Sequence, residues 1–176
     1  MSDLKPPHDP IEALGQAYET LLETVAEDVK KVEDKSAPVM HELILKAKDK
    51  LAAAEEISEE QGEKLVGYLE RDLVDLGRYL AENGQELKDW LGFETALIED
   101  RFLQMLKTAA DQTELEWLKM KMQAAADRPV YKTGEVAAPG TFECLECGEQ
   151  IHLHKAGHIP PCPKCAHTEY KRISYD

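Results

Sequence analysis

Long apolar runs, aromatic residues and net positive charge are all scarce in this sequence. The apolar runs are only a few residues long, far short of the ~20 residues that a membrane-crossing helix needs. Aromatic residues make up 6% of the chain. The formal net charge is −14, and a negatively charged protein repels phosphate polyanions at long range. These shortages argue against a membrane protein and against nucleic-acid binding.

Motifs of common catalytic chemistry are also missing. Neither a glycine-rich phosphate loop nor a G-x-S-x-G elbow occurs. His41-Glu42 begins like the zinc-protease helix motif, but Leu45 stands where the second histidine would have to be. We therefore expect a protein that is not an enzyme, with no catalytic residue and no small-molecule substrate.

The start of the sequence has no basic segment followed by an apolar stretch, so we expect no secretory signal. The expected compartment is then the cytoplasm, where thiols stay reduced. In that compartment paired cysteines are typical of metal sites rather than of disulfides.

Cysteine is rare but concentrated. The chain has four cysteines, which form two C-x2-C pairs, Cys144/Cys147 and Cys162/Cys165. Zinc takes four such soft ligands at ~2.3 Å, and a two-residue spacer lets one tight turn direct both thiolates at the ion. We predict that the four cysteines bind one structural Zn²⁺. Because they fill its coordination shell, no position remains open for a catalytic water.

Four histidines lie in the same part of the sequence as the cysteines. One of them could in principle replace a cysteine ligand, but with four cysteines present we interpret the histidines as surface residues. They are His152, His154, His158 and His167.

The region before residue 127 has the pattern of amphipathic helices. Apolar residues recur at steps of three and four over residues 11–32 and 40–54, which places them on one helix face. A third stretch, Val66 to Leu80, has alternating steps of three and four, the heptad spacing of helices that pack side by side. Ser58 and Gln61 form a capping-box pattern in front of it.

The fold class predicted from these patterns is mostly α: an antiparallel, coiled-coil-like helical hairpin or bundle, followed by a small β zinc ribbon. The predicted domains are a flexible tail over 1–9, an acidic helical domain over 10–126, a linker over 127–140 and the ribbon over 141–176. In the ribbon we predict three strands: one leading into the first cysteine pair, one over 150–154 and one over 169–173.

From Thr113 onward the chain resembles the bacterial YbeL-like family of zinc-ribbon-containing proteins. The matching segments are Thr113–Trp117, Val130–Val136 and the two cysteine pairs, including Cys162-Pro163-Lys164-Cys165. The resemblance implies a cytoplasmic protein with an N-terminal helical region and a C-terminal zinc ribbon. The resemblance implies that the four cysteines are metal ligands, and it implies no catalytic residue.

The cysteine region is also similar to the rubredoxin-like tail of rubrerythrins, in which helices precede a four-cysteine iron site that transfers electrons. The helices of those proteins carry Glu-x-x-His steps for a di-iron centre. Here residues 10–126 contain one histidine, His41, and Pro38 stands three residues before it. A rubredoxin-type site with Fe in the same four cysteines stays as the alternative to zinc.

Three functions are compatible with the sequence. The leading hypothesis is a non-enzymatic protein whose ribbon is a docking module and whose helices mediate self-association or bind a protein partner. The second is an iron-containing electron-transfer protein. The third is a nucleic-acid-binding regulator, which the negative net charge opposes. Its support is the set of basic residues in the ribbon: Lys155, Lys164, Lys171 and Arg172.

Overall fold

The computed structural model describes residues 10–33, 37–54, 57–83, 91 and 130–173. In these residues three helices come first and six short strands follow. The helices are α1 (Pro10–Val29), α2 (Ala37–Ala53) and α3 (Glu59–Asn83). The strands are β1 (Tyr131–Lys132), β2 (Val136–Ala137), β3 (Gly140–Cys144), β4 (Gln150–Leu153), β5 (Gly157–His158) and β6 (Glu169–Ile173).

The helices begin where local chemistry favours it. α1 begins at Pro10, since proline has the backbone angle of a first helical turn and lacks an N–H that would need a partner. Ahead of α3, the Gln61 N–H donates to the Ser58 hydroxyl oxygen (3.2 Å), and the Ser58 N–H donates to the Gln61 side-chain oxygen (3.0 Å). The predicted capping box is therefore confirmed.

The apolar stripes of the three helices face a common core. Each stripe supplies side chains that are at most 8% exposed, spaced by one, three or four residues as on one helix face. From α1 these include Tyr18, Leu21, Leu22, Val25 and Val29; from α2, Leu43, Ile44, Ala47 and Leu51; from α3, Leu65, Val66, Leu69, Leu73 and Leu76.

The strands form two antiparallel sheets. One has four strands in the order β1-β6-β3-β4, and the other pairs β2 with β5. In the larger sheet Cys144 lies opposite Tyr170, and Phe142 lies opposite Arg172. The three predicted strands, one leading into the first cysteine pair, one at 150–154 and one at 169–173, correspond to β3, β4 and β6.

The predicted fold class is wrong. Within the described ranges, the N-terminal half has three helices without a clear coiled coil, and the C-terminal part is an antiparallel region of two sheets rather than a single three-stranded ribbon. The physical reason is the way the helical stripes are covered. Val136, Ala138 and Ala156, all from the β region, belong to the same core as the helices, so the helices bury apolar surface against the sheets as well as against one another.

Gly15 allows α1 to lie close to the β region. A Cβ atom at this position would come within 2.6 Å of the Ala156 carbonyl oxygen and 3.3 Å of the Gly157 Cα. Both are backbone atoms, so relief would require the helix and the sheet region to move apart.

We expect Gly15→Ala to lower the free energy of unfolding, although alanine is the better helix former by ~1 kcal/mol. Gly67 of α3 is the matched control, because a Cβ atom there meets nothing within 4 Å. Gly67→Ala should raise stability by roughly 0.5–1 kcal/mol. Urea denaturation of both variants checks the contrast; stabilisation by both would show that α1 does not lie against residues 156–157.

Several predictions lie outside the described residues. These are the tail over 1–9 and the segments 84–90 and 92–126 of the predicted helical domain. The domain boundaries stay predictions. In the described part of the chain, no helix has both the length and the apolar character needed to cross a bilayer.

Candidate metal centre

The four cysteine sulfurs converge on one point at the end of the larger sheet. All four Sγ atoms lie within 4.8 Å of one another. The Sγ atoms of Cys144 and Cys165 are 3.6 Å apart, as are those of Cys147 and Cys162. A tetrahedron with metal–sulfur bonds of ~2.3 Å has edges of about 3.8 Å. The cluster therefore has the dimensions of a four-thiolate metal site.

Two similar turns aim the sulfurs. The Gly148 N–H donates to the Cys144 carbonyl (3.0 Å), and the Ala166 N–H donates to the Cys162 carbonyl (2.9 Å). The residue after each cysteine pair has a positive φ, 74° at Gly148 and 61° at Ala166. Small residues occur at both places because a side chain is unfavourable in this conformation.

Gly148→Ala should lower stability by about 1 kcal/mol. The cost comes from the backbone alone, since a Cβ atom at Gly148 would meet nothing within 4 Å. The reverse change in the other turn, Ala166→Gly, should be neutral or slightly stabilising. Thermal unfolding of the metal-loaded variants measures both effects. If both substitutions lowered the stability by a similar amount, residues 148 and 166 would not share the same positive-φ conformation.

Backbone N–H groups favour the ionised form of the Cys162 thiol. Burial opposes its ionisation, but hydrogen bonds from the N–H groups of Cys165 and Lys164 lower the pKa of Cys162 to about 6. At Cys165 the His167 N–H favours ionisation, yet burial and the neighbouring sulfurs raise the pKa to about 12. Four thiolates this close repel one another, so a cation is needed for all of them to be ionised together.

The cluster is buried on one side and open on the other. Cys144 and Cys162 are buried, Cys147 is half-buried and Cys165 is exposed. The buried sulfurs pack in a small core of their own, which also contains Tyr131, Ala137, Phe142, Ile159 and Tyr170. Burial, together with the nearby sulfurs, raises the pKa of Tyr170 to about 12, and its hydroxyl donates to the Pro160 carbonyl (2.9 Å).

The structure groups the four predicted ligands together and leaves the histidines outside. Among the described residues the cysteines form the one cluster of metal-binding side chains, and none of the four ribbon histidines belongs to it. His152 instead places its Nδ1 2.9 Å from the Thr141 hydroxyl, and its ring stacks on that of His154 with centroids 6.4 Å apart. The ligand role of each cysteine stays a prediction.

A buried ionic network between α3 and the sheets was missed by the sequence analysis. Asp72 is fully buried and Arg172 is 6% exposed, with their side chains 3.7 Å apart. Arg172, one of the basic residues that supported the nucleic-acid hypothesis, is therefore a buried cation of the fold. The sequence contains only a weak indication of this network. Asp72 directly precedes Leu73 of the heptad stretch, and an aspartate in a helix is usually expected to be exposed.

Comparison with known proteins places these features in a family context. Residues 27–174 match the family described as "Zinc-ribbon containing domain". The chain is also similar to "Uncharacterized protein YbeL" of Escherichia coli strain K12, with 25% identity over 134 residues, or 76% of this chain and 82% of that protein. Proteins of the same name from the O6:H1 strain CFT073 and from O157:H7 match to the same extent. No solved structure matches the chain.

Proposed function

We propose that this chain, which belongs to the zinc-ribbon containing domain family, is a non-enzymatic zinc-binding protein. In this proposal the bound metal stabilises the fold of a module that interacts with other protein chains. The observation that carries the proposal is the convergence of four sulfur atoms within 4.8 Å of one another. A site with four protein thiolates is typical of structural zinc, because a catalytic zinc keeps one position for water or substrate.

The surrounding residues support a structural ion. Cys144, Cys147, Cys162 and Cys165 would hold it, and the backbone N–H groups of the two turns would offset the negative charge of the sulfurs. A β region of this size buries little apolar surface by itself. Zinc would therefore contribute on the order of 10 kcal/mol to its folding.

Elemental analysis and visible spectroscopy test the metal part of the proposal. Protein purified in air without added metal should contain one zinc ion per chain and should be colourless. Protein without stoichiometric metal would refute the site. Red protein with thiolate-to-iron absorption would instead establish the electron-transfer alternative, since four thiolates also bind iron and metal supply contributes to selection.

The interaction part of the proposal concerns a protein partner or a second copy of the chain. Leu145, in the first cysteine turn, is 46% exposed, and Val130, ahead of β1, is 44% exposed. Leu145→Glu should abolish binding of a partner that docks on the metal-held turns, and Val130→Glu is the control with nearly the same exposure.

Sedimentation of the intact zinc-loaded protein, alone and with co-purified partners, measures both forms of association. A monomer that no protein binds would refute the interaction part. A salt-sensitive gel shift with DNA or RNA would replace it by the nucleic-acid regulator.

A further inference from the structure

Strand β6 connects the cysteine cluster with the helices. Its residues alternate, with Tyr170 and Arg172 buried and Lys171 exposed between them. Tyr170 lies opposite Cys144 and packs in the same small core as Cys144 and Cys162. Two residues further along the same face, Arg172 reaches the helices. One short strand therefore contacts both the metal-binding sulfurs and α3.

Arg172 is held on several sides. Its guanidinium donates to the carbonyls of Pro139 (2.7 Å) and Ala138 (3.2 Å). It also lies 3.7 Å from a carboxylate oxygen of Asp72 and 3.4 Å from one of Asp75, both on α3. Burial opposes its charge, but nearby Tyr131 and these carboxylates raise its pKa. The cation thus joins the β region to α3 by charge-assisted hydrogen bonds and ion pairs.

Gly140 makes room for this arginine. A Cβ atom at Gly140 would lie 1.8 Å from a guanidinium nitrogen of Arg172. The guanidinium also packs over the Phe142 ring, 4.6 Å from its centroid. β3, which ends at Cys144, therefore packs against the buried Arg172 side chain of β6.

Asp72 depends on the β region for its partners. One carboxylate oxygen accepts hydrogen bonds from the Tyr18 hydroxyl of α1 (2.7 Å) and from the Ala138 N–H (2.8 Å). The other lies 3.3 Å from Arg71 and 3.7 Å from Arg172. If the sheets came apart, this carboxylate would lose the Ala138 N–H and Arg172, two of the groups that pair with it in the folded protein.

Arg71, the neighbour of Asp72 on α3, also has partners in the β region. Arg71 pairs with Glu135, donates to the Val136 carbonyl (3.0 Å) and stacks over the Tyr131 ring at 4.2 Å from its centroid. Val136 also lies in the core shared with the helices. Loss of order in the sheets would therefore expose helical core and strip partners from two adjacent charged residues of α3.

We infer that metal occupancy of the four cysteines is coupled to the order of α1 and α3 through β6 and the Arg172–Asp72 pair, so that the ion controls the helical part of the protein as well as the ribbon. The inference rests on the proposed zinc site. It makes metal release a conformational switch: helical surface that is covered by the sheets in the loaded protein becomes available when the ion leaves.

The coupling predicts a reciprocal effect on metal binding. Because linkage acts equally in both directions, a change that weakens the helix–sheet contact lowers zinc affinity at sulfurs it does not touch. Asp72→Asn and Arg172→Lys should each weaken zinc binding by about tenfold or more, within the range of known coupling energies. Glu70→Gln is the control: this α3 carboxylate pairs with His41 of α2, and its loss should change zinc affinity by less than about twofold.

The experiment uses the full chain and zinc alone. Competition with a chromophoric chelator gives zinc affinity for the wild type and the three variants. Deuterium exchange of the wild type, with zinc and after chelation, should show at least about tenfold faster exchange of the α1 and α3 amides without metal.

Two results would overturn the inference. One is unchanged exchange in α1 and α3 after chelation. The other is zinc affinity within twofold of the wild type in both network variants while their circular dichroism is that of a folded protein. A wild type that binds no zinc would refute the proposed function itself, and a wild type that binds zinc without affecting the helices would refute the coupling alone.

Discussion

Cys162→Ala is expected to remove the metal and unfold the C-terminal sheets. Cys162 is a buried residue of the small core, and its sulfur receives two backbone hydrogen bonds that favour the thiolate. Removing one of four ligands sacrifices much of the ~10 kcal/mol that a structural zinc supplies to a small domain. Zinc content should fall far below one ion per chain, and near-ultraviolet circular dichroism of Tyr131 and Tyr170 should be lost.

Pro163→Ala provides the matched control. Pro163 lies between the two cysteines of the second turn and is exposed, so alanine there preserves the spacing and the ligands. The control should retain zinc and fold normally. Full zinc content in Cys162→Ala, measured beside this control, would contradict the assignment of Cys162 as a ligand.

Arg172→Met is expected to have the second-largest effect. Methionine keeps the apolar stem but leaves Asp72 and Asp75 without this cation. Breaking a buried ion pair by removing one partner costs roughly 3–5 kcal/mol. Guanidinium denaturation of the zinc-loaded protein should show a loss of this size, and Asp72 is the carboxylate most affected because it is fully buried.

Lys171, the neighbour of Arg172 in β6, provides a control for the loss of a positive charge in general. Lys171 pairs with Glu143 at 2.9 Å, but its side chain is 47% exposed. Lys171→Met should therefore cost no more than ~1 kcal/mol. Similar losses for the two variants would mean that the Arg172 network contributes no more than a surface pair.

The sequence was most informative where the controlling interactions are local. α1, α2 and α3 have clear apolar periodicity, and the start of α3 depends on a hydrogen-bonded pair, Ser58 and Gln61, separated by three residues. The cysteine cluster could also be predicted, because a two-residue spacer between metal ligands has a specific geometric meaning.

Long-range pairing could not be derived in the same way. Tyr18 and Asp72 are 54 positions apart, and Asp72 and Ala138 are 66 apart. Periodicity shows that a helix face is buried but does not identify the element that covers it. β1 and β2 are two residues long, too short for an alternating pattern, so the sequence showed no sign of strands in their segment. The mistaken helical bundle followed from both facts.

X-ray absorption at the metal edge of the purified protein identifies the metal and the atoms bound to it. We expect zinc with four sulfur neighbours at ~2.3 Å and no oxygen or nitrogen in the first coordination shell. An absorption edge of iron would contradict the metal assignment. A shell containing water or histidine nitrogen would contradict the closed four-cysteine site from which the proposed function and the coupling to the helices both follow.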